Sequence, residues 1–352
     1  MKILDIETPA VLVDLNIAEQ NVRNFQAYCD SHALRLRPHI KTHKLPTLAR
    51  FQIQQGAVGI TCQKVSEAEA MIAGGGISDV LLTYNIVGAE KVTRLRELFQ
   101  KVSLSVVADN QTVIEGLGVG FKTAKRPLAV LVECDTGAQR CGVQSPAEAA
   151  LLAQKIAATP GLTFGGLMTY PPMGHPIEVA AWLSEAKQLI EESGLAVPVI
   201  SSGGSPQMWQ AHEMPLATEY RIGTYVYNDR SLIERGVCTQ SDCALTVLAT
   251  VVSTPTKHRA VIDAGSKVLT SDLLGLEGYG SVPGRRDIVI DQLSEEHGRL
   301  VSQQPIELEV GQKIRIIPNH VCVVSNMVDS VVLIRKDDVI GTEVVAARGK
   351  VQ

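Results

Sequence analysis

The residues of this chain that could do chemistry fall into a few short stretches. One is Leu34-Arg35-Leu36-Arg37-Pro38-His39-Ile40-Lys41-Thr42-His43-Lys44, where an alternating apolar strand runs out into two lysines and two histidines. An ammonium at the end of a buried strand is costly unless it is paired or neutralised. A lysine so placed is a better nucleophile, which suits Schiff-base chemistry with a carbonyl compound. Read alone, the stretch is equally a strand ending in a solvated basic loop. Another is Pro318-Asn319-His320-Val321-Cys322. In a strand the period of two would put His320 and Cys322 on one face, and imidazole plus thiolate suits zinc. Two ligands are fewer than a structural site needs, so such a metal would keep positions open for water and substrate. The plain alternative is a histidine beside an inert buried cysteine.

Ser201-Ser202-Gly203-Gly204-Ser205-Pro206 has the makings of a phosphate cradle: glycines that let a ligand approach the backbone, successive N–H groups, and a helix start. Gly223-Thr224-Tyr225 is its natural second half. Arg140, in Gln139-Arg140-Cys141-Gly142, follows the acidic strand end Glu133/Asp135 and is either a surface ion-pair partner or a cation beside a bound group. Tyr170-Pro171-Pro172-Met173-Gly174-His175 ends in a histidine that is either a solvated loop residue or an acid/base.

These stretches need elements to hold them. Strand candidates are 34–40, 57–62, 80–84, 103–108, 128–134, 164–170, 197–202 and 219–226, with helices between them near 48–55, 66–73, 89–99, 111–117, 146–158 and 178–193. Ahead of these, 8–15 reads as an extended segment and Asn16 as the N-cap of a helix over 17–29, with Ala18, Val22, Phe25 and Cys29 on one face. Eight strands alternating with helices have the rhythm of a (β/α)8 barrel. An open doubly wound sheet fits less well, since no Gly-x-Gly-x-x-Gly turn follows the first strand. In a barrel, active-site residues gather at the C-terminal ends of strands. Lys41, Gln63, Tyr84, Asp109, Asp135 with Arg140, Tyr170, Ser202–Ser205 and Tyr225–Asp229 all fall at or just past such ends. After about Arg230 helical periodicity fades and short strand-like runs alternate with Gly, Pro and Asp turns. The expected division is a barrel over 8–232 and a β domain over 233–352, joined by residues 1–7.

Composition sets bounds on function. Charged residues are 20% of the chain, hydrophobic residues 45% and aromatics only 4%, so the core is built from Val, Ile, Leu and Ala. A net charge of -4 argues against nucleic acid as a partner. Seven scattered cysteines form no disulfide framework. With no apolar leader and no long apolar run, the expectation is a cytoplasmic protein without a membrane partner.

The run Arg37-Pro38-His39-Ile40-Lys41-Thr42-His43-Lys44 resembles the cofactor-lysine motif of the D-threonine aldolase and D-serine dehydratase family. The resemblance recurs at Gly59–Ala68, at Val132–Gly137 with Arg140-Cys141-Gly142-Val143, and at Asn319-His320-Val321-Cys322, so it spans nearly the whole chain in order. These are pyridoxal-phosphate enzymes on an alanine-racemase-like barrel. The resemblance implies that Lys41 carries pyridoxal 5'-phosphate and that Gln63, Arg140 and Tyr170 neighbour it. It implies a phosphate site at Ser202, Gly203, Gly204, Gly223, Thr224 and Tyr225, and a divalent metal, Zn or Mn, on His320 and Cys322. A homodimer acting on a D-configured β-hydroxy-α-amino acid is expected.

Two features bear on the reaction. Many D-threonine aldolases carry aspartate where this chain has Cys322, whereas the dehydratases carry cysteine. The relatives commonly show a histidine soon after the tyrosine corresponding to Tyr170, which is missing here; His175 is the candidate catalytic acid or base. The resemblance favours retro-aldol cleavage to glycine and an aldehyde, with dehydration to a 2-oxo acid and ammonia second. A racemase would leave His320 and Cys322 idle, and a non-catalytic pyridoxal-phosphate-binding protein would lack the β domain.

Overall fold

A computed structural model describes residues 1–352. By contacts the chain divides into two units: Gln26–Lys41 with Pro46–Gly223 and Lys350–Gln352, and Met1–Phe25 with Thr42–Leu45 and Thr224–Gly349.

Strand β1 (Ala10–Asp14) leads into helix α1 (Leu15–Ser31). The helix starts a residue or two earlier than the sequence suggests, and Asp14 rather than Asn16 supplies the oxygen at its start, accepting the Asn16 N–H at 2.9 Å. Ala18, Val22, Phe25 and Cys29 form its buried face.

The larger unit is the barrel. Its strands are β2 (Arg35–Leu36), β3 (Ile60–Cys62), β4 (Asp79–Leu82), β5 (Ser103–Ala108), β6 (Leu128–Cys134), β7 (Leu162–Thr169), β8 (Ile200–Gly203) and β9 (Glu219–Arg221). All pair in parallel, in the order β2-β9-β8-β7-β6-β5-β4-β3. The ring closes where Val58 N–H reaches Leu36 O at 2.9 Å and Thr61 N–H reaches Pro38 O at 2.7 Å, with a parallel bridge from His39 to Thr61. Helices α2 (Pro46–Gln54), α3 (Val65–Ala73), α4 (Ala89–Phe99), α5 (Gln111–Phe121), α6 (Pro146–Ala158) and α7 (Pro176–Glu192) follow the strands. Asn110 and Ser145 cap α5 and α6 with side-chain oxygens, as their positions ahead of apolar-periodic runs require. Inside the barrel Leu81, Val107, Leu131 and Met168 pack together.

The barrel interior is crossed by charge. Arg37 donates to Glu219 Oε2 at 2.7 Å and to Asp79, Ser201 Oγ donates to Glu219 Oε1 at 2.7 Å, and Arg221 Nε donates to Ser201 Oγ at 2.9 Å. Arg221 then reaches Thr169 O at 2.5 Å. Arg37, Glu219, Ser201, Arg221 and Thr169 are all buried, so each of these groups depends on the next for the partners that water would otherwise supply.

The other unit carries α8 (Arg230–Ile233), a 12-residue strand β10 (Leu245–Thr256), β11 (Arg259–Ile262), α9 (Ser266–Leu269), β12 (Ile288–Leu293), β13 (Gly298–Ser302), β14 (Lys313–Ile316), α10 (Val321–Met327), β15 (Ser330–Arg335) and β16 (Asp338–Val344). The sheet runs β12-β13-β11-β10-β1-β15-β16, with β14 also on β10. Strand β1 lies antiparallel to β10 and parallel to β15, and Leu12, Leu248 and Ile334 bury beside Ile3 and Ile6. The chain is therefore a (β/α)8 barrel followed by a C-terminal β domain that also takes in the first strand. No helix is long and apolar enough to cross a membrane.

Candidate active site

In the barrel unit the polar residues gather past the strand ends. Lys41 does not sit on a strand: β2 stops at Leu36, and Lys41 lies in a 3-10 turn, Ile40–Thr42, with its side chain exposed. The expectation of a lysine buried at a strand end is corrected here. The turn is held from below, since Lys41 N–H donates to His39 Nδ1 at 3.3 Å and His39 N–H to Ile222 O at 2.7 Å.

Gln63, just past β3, ties three strand ends together. Its Oε1 lies 3.0 Å from His39 Nε2, its Nε2 donates to Thr83 O at 2.8 Å, and its N–H donates to Glu67 Oε2 at 2.6 Å. The loop after β6 is wound around Asp135, whose Oδ1 accepts the N–H groups of Gly137 and Gln139, each at 3.0 Å. Burial works against its charge, but these donors outweigh it and hold the carboxyl below its usual range. Gly142 closes the loop at φ +122°, and a Cβ there would lie 2.3 Å from Asp135 N. The loop delivers Arg140 over the Tyr170 ring at 4.7 Å.

Gly203 ends β8 so close to β9 that a Cβ would lie 1.9 Å from Arg221 O. The carbonyl of Gly204 accepts the Tyr220 hydroxyl at 2.7 Å, and a Cβ at Gly204 would meet only Tyr170 and Pro206, at 3.6 and 3.9 Å. Ser202 is buried on β8, and Gly223 follows β9 by two residues. An accessible amine, a cation over an aromatic ring and the open backbone of Gly204 make a donor set that fits a phosphorylated, planar carbonyl cofactor. His175 is placed apart in character: it heads α7 with an exposed side chain, 3.7 Å from Glu178.

Sequence reasoning passed over Arg221 and noted Glu133 only as part of an acidic strand end. Arg221 lies inside the barrel, where burial lowers its pKa to about 10 against the pull of Glu219 and Glu133. Burial, reinforced by Asp109, pushes the Glu133 carboxyl up to about 7 although Arg140 and Arg221 oppose it. Their partners come from different strands, so no local pattern marks them.

In the β-domain unit His320 and Cys322 are adjacent, but not as alternate residues of a strand. His320 is the extended residue at the N-cap of α10 (φ -142°, ψ 112°), and Cys322 is the second residue of that helix. The same-face argument from strand periodicity is corrected; a helix start brings the imidazole and thiol within hydrogen-bonding reach. Asn319, fully buried, fixes the approach by donating to Asp272 O at 3.0 Å and Gly278 O at 2.8 Å. Arg230 and Ser231 N–H groups pair with Pro318 O and Asn319 O.

Asp229, fully buried, serves two helices. Its Oδ1 accepts the Leu232 N–H at 3.1 Å and the Ser231 hydroxyl at 2.6 Å at the head of α8. Its Oδ2 lies 2.9 Å from His320 Nδ1 and accepts the Val321 N–H at 3.3 Å. Burial disfavours the imidazolium, yet Cys322 and Asp229 overcome it and raise the His320 pKa to about 10. A carboxylate on Nδ1 directs Nε2 outward, the arrangement that metal-bound histidines favour. With the thiol beside it, this pair fits a borderline-soft divalent ion in an open site; no cluster of three or more such ligands is present. Thr224 and Tyr225, expected at the phosphate, belong to this unit: Tyr225 packs on Phe25 and Thr224 Oγ1 is 3.9 Å from Cys322 Sγ.

Known proteins resemble this chain along its length. The alanine racemase N-terminal domain family matches residues 13–231 and the serine dehydratase domain family matches residues 244–334. The chain is 32% identical to a D-threonine aldolase of Arthrobacter sp over 98% of this chain and 93% of that protein. It is 33% identical to a 3-hydroxy-D-aspartate aldolase of Paracoccus denitrificans (strain Pd 1222) with the same coverage of 98% and 93%. The crystal structure of D-threonine aldolase from Filomicrobium marinum superposes with a TM-score of 0.90 at 31% identity, covering 100% of this chain and 98% of that one. A D-threo-3-hydroxyaspartate dehydratase, solved as a cysteine-to-alanine mutant in the metal-free form, gives 0.86 at 28% identity, covering 97% and 98%. The chain is a lyase of the pyridoxal-phosphate-dependent family that contains the D-threonine aldolases and D-serine dehydratases.

Proposed function

We propose that the chain cleaves D-configured β-hydroxy-α-amino acids to glycine and an aldehyde, with Lys41 holding pyridoxal 5'-phosphate and His320 with Cys322 holding a divalent metal, Zn or Mn. The observation that supports metal-assisted β-hydroxyl chemistry is the His320–Cys322 pair with Asp229 on Nδ1 at 2.9 Å; cleavage is preferred to dehydration because no histidine closely follows Tyr170 and the exposed His175 can serve the hydroxyl. The cofactor supplies an electron sink for the bond broken at Cα, and the metal supplies a Lewis acid for the β-oxygen. The chain's own residues do the rest. The Lys41 amine would hold the cofactor and, when not so engaged, would be placed to move a proton. Gln63 presents an amide fixed by His39 and Thr83, and Arg140 presents a cation steadied by Tyr170. Ser202, Gly203, Gly204 and Gly223 are the proposed phosphate contacts. Exposed His175 is the proposed proton acceptor for the substrate hydroxyl.

Dehydration is the second reading, favoured by Cys322, since a dehydratase of this fold was obtained metal-free as a cysteine-to-alanine mutant. Incubation with D-threonine and D-serine separates the two: glycine with acetaldehyde supports cleavage, a 2-oxo acid with ammonia supports dehydration. Borohydride reduction and peptide mapping should label Lys41, and labelling of Lys44 or Lys64 would overturn that assignment. Chelation should abolish turnover while the cofactor stays attached, and full activity after chelation, or in Cys322→Ala, would refute the metal.

A further inference from the structure

We propose that Thr42 is a positioning residue for the metal centre, its hydroxyl donating a hydrogen bond to the Cys322 sulfur; this rests on the metal reading above. Thr42 Oγ1 lies 3.1 Å from Cys322 Sγ. A neutral thiol could donate or accept at that distance, but a metal-bound sulfur has lost its hydrogen, so with metal present the hydroxyl must be the donor. Thr42 is fully buried and β-branched, so its χ1 is restricted and Oγ1 is held in place. A second hydroxyl, Thr224 Oγ1, lies 3.9 Å from the same sulfur, so Thr42 makes the shorter and stronger of the two contacts. Each proposed ligand thus has an outer partner: Asp229 on the imidazole and Thr42 on the sulfur. Such partners orient a ligand and tune its basicity, and their loss typically weakens metal binding about 10–100-fold.

The test measures zinc affinity of the cofactor-loaded protein, stripped of metal and titrated with Zn2+ against a chromophoric chelator. Thr42→Val removes the donor at nearly constant volume, Thr42→Ala removes it while leaving space, and Thr42→Ser keeps it. The expected result is about 10–100-fold weaker zinc binding for Thr42→Val and Thr42→Ala, with Thr42→Ser within a few-fold of the parent. In the Co2+-loaded proteins the sulfur-to-metal charge-transfer band should move in the two hydroxyl-free variants and stay in place in Thr42→Ser, a change that loosened packing alone would not produce. Unchanged zinc affinity and an unmoved band in Thr42→Val or Thr42→Ala would overturn the role of Thr42 while leaving the metal site intact. A parent protein that binds zinc no better than Cys322→Ala would instead overturn the metal reading, and this inference with it.

Discussion

Replacing Glu133 by Gln should make the protein more stable relative to the parent as pH rises. Glu133 is 4% exposed, and its carboxyl is pushed from the ordinary 4.5 up to about 7, first by burial and then by Asp109. The sign follows from proton counting. Between those two values the native state keeps a proton that the unfolded chain has released, so the unfolded state binds fewer protons and stability falls as pH rises. At about 1.4 kcal/mol per pH unit the full cost is roughly 3 kcal/mol, of which about 2.5 kcal/mol accrues between pH 5 and 8. Gln keeps the shape and two polar ends but has no proton to lose. Urea unfolding of parent and Glu133→Gln at pH 5 and pH 8 should show the stability gap moving by about 2.5 kcal/mol in the variant's favour. A carboxylic C=O stretch lost from the parent near neutral pH, and missing from the variant, would identify the group. A gap that stays constant within about 0.5 kcal/mol would refute the reasoning. So would one that moves the other way, because Arg140 and Arg221 would then be holding Glu133 ionised.

Other perturbations test the scaffold. Arg37→Leu should destabilise the fold by about 3–5 kcal/mol in denaturant melts, because Glu219, 2% exposed, loses its guanidinium partner; adding Glu219→Gln should recover part of that loss. Gly203→Ala should cost more than the usual overpacking range of about 1–3 kcal/mol, since its Cβ would lie 1.9 Å from Arg221 O, and should show as a lowered melting temperature even without cofactor.

Much of the barrel is legible in the sequence because apolar strand runs alternate with amphipathic helical ones. Ser103–Ala108, Leu128–Cys134, Ala89–Phe99 and Pro146–Ala158 fall where the patterns place them. Failures occur where tertiary partners override local preference. Val321-Cys322-Val323-Val324 is β-branched and reads as strand, yet Asp229 accepts the Val321 N–H and the segment turns helical. Gly298–Ser302 is a strand the periodicity misses, because Gly298 and Arg299 give no alternation and its identity comes from pairing with β11 and β12. The motif marks the lysine turn but not its exposure, since inter-strand bonds reach only as far as His39 and Lys41 lies beyond them in a 3-10 turn.

The charged line through the barrel also bears on how the ring assembles. Central parallel stretches such as Val130–Val132 and Val106–Ala108 are buried on both sides, so on their own a slip by one residue would exchange one aliphatic face for another at little cost. Arg37, Glu219 and Arg221 do not have that latitude. A slipped β2 or β9 would strand a guanidinium or a carboxylate in a hydrocarbon interior, a penalty of several kcal/mol per ion. Asp79, Arg37, Glu219, Ser201 and Arg221 draw on β4, β2, β9 and β8 and act as a combination lock. The closed ring is tolerated only when strands from both ends of the barrel sequence are aligned together, so the selectivity against misaligned rings resides in ions that contribute little to net stability.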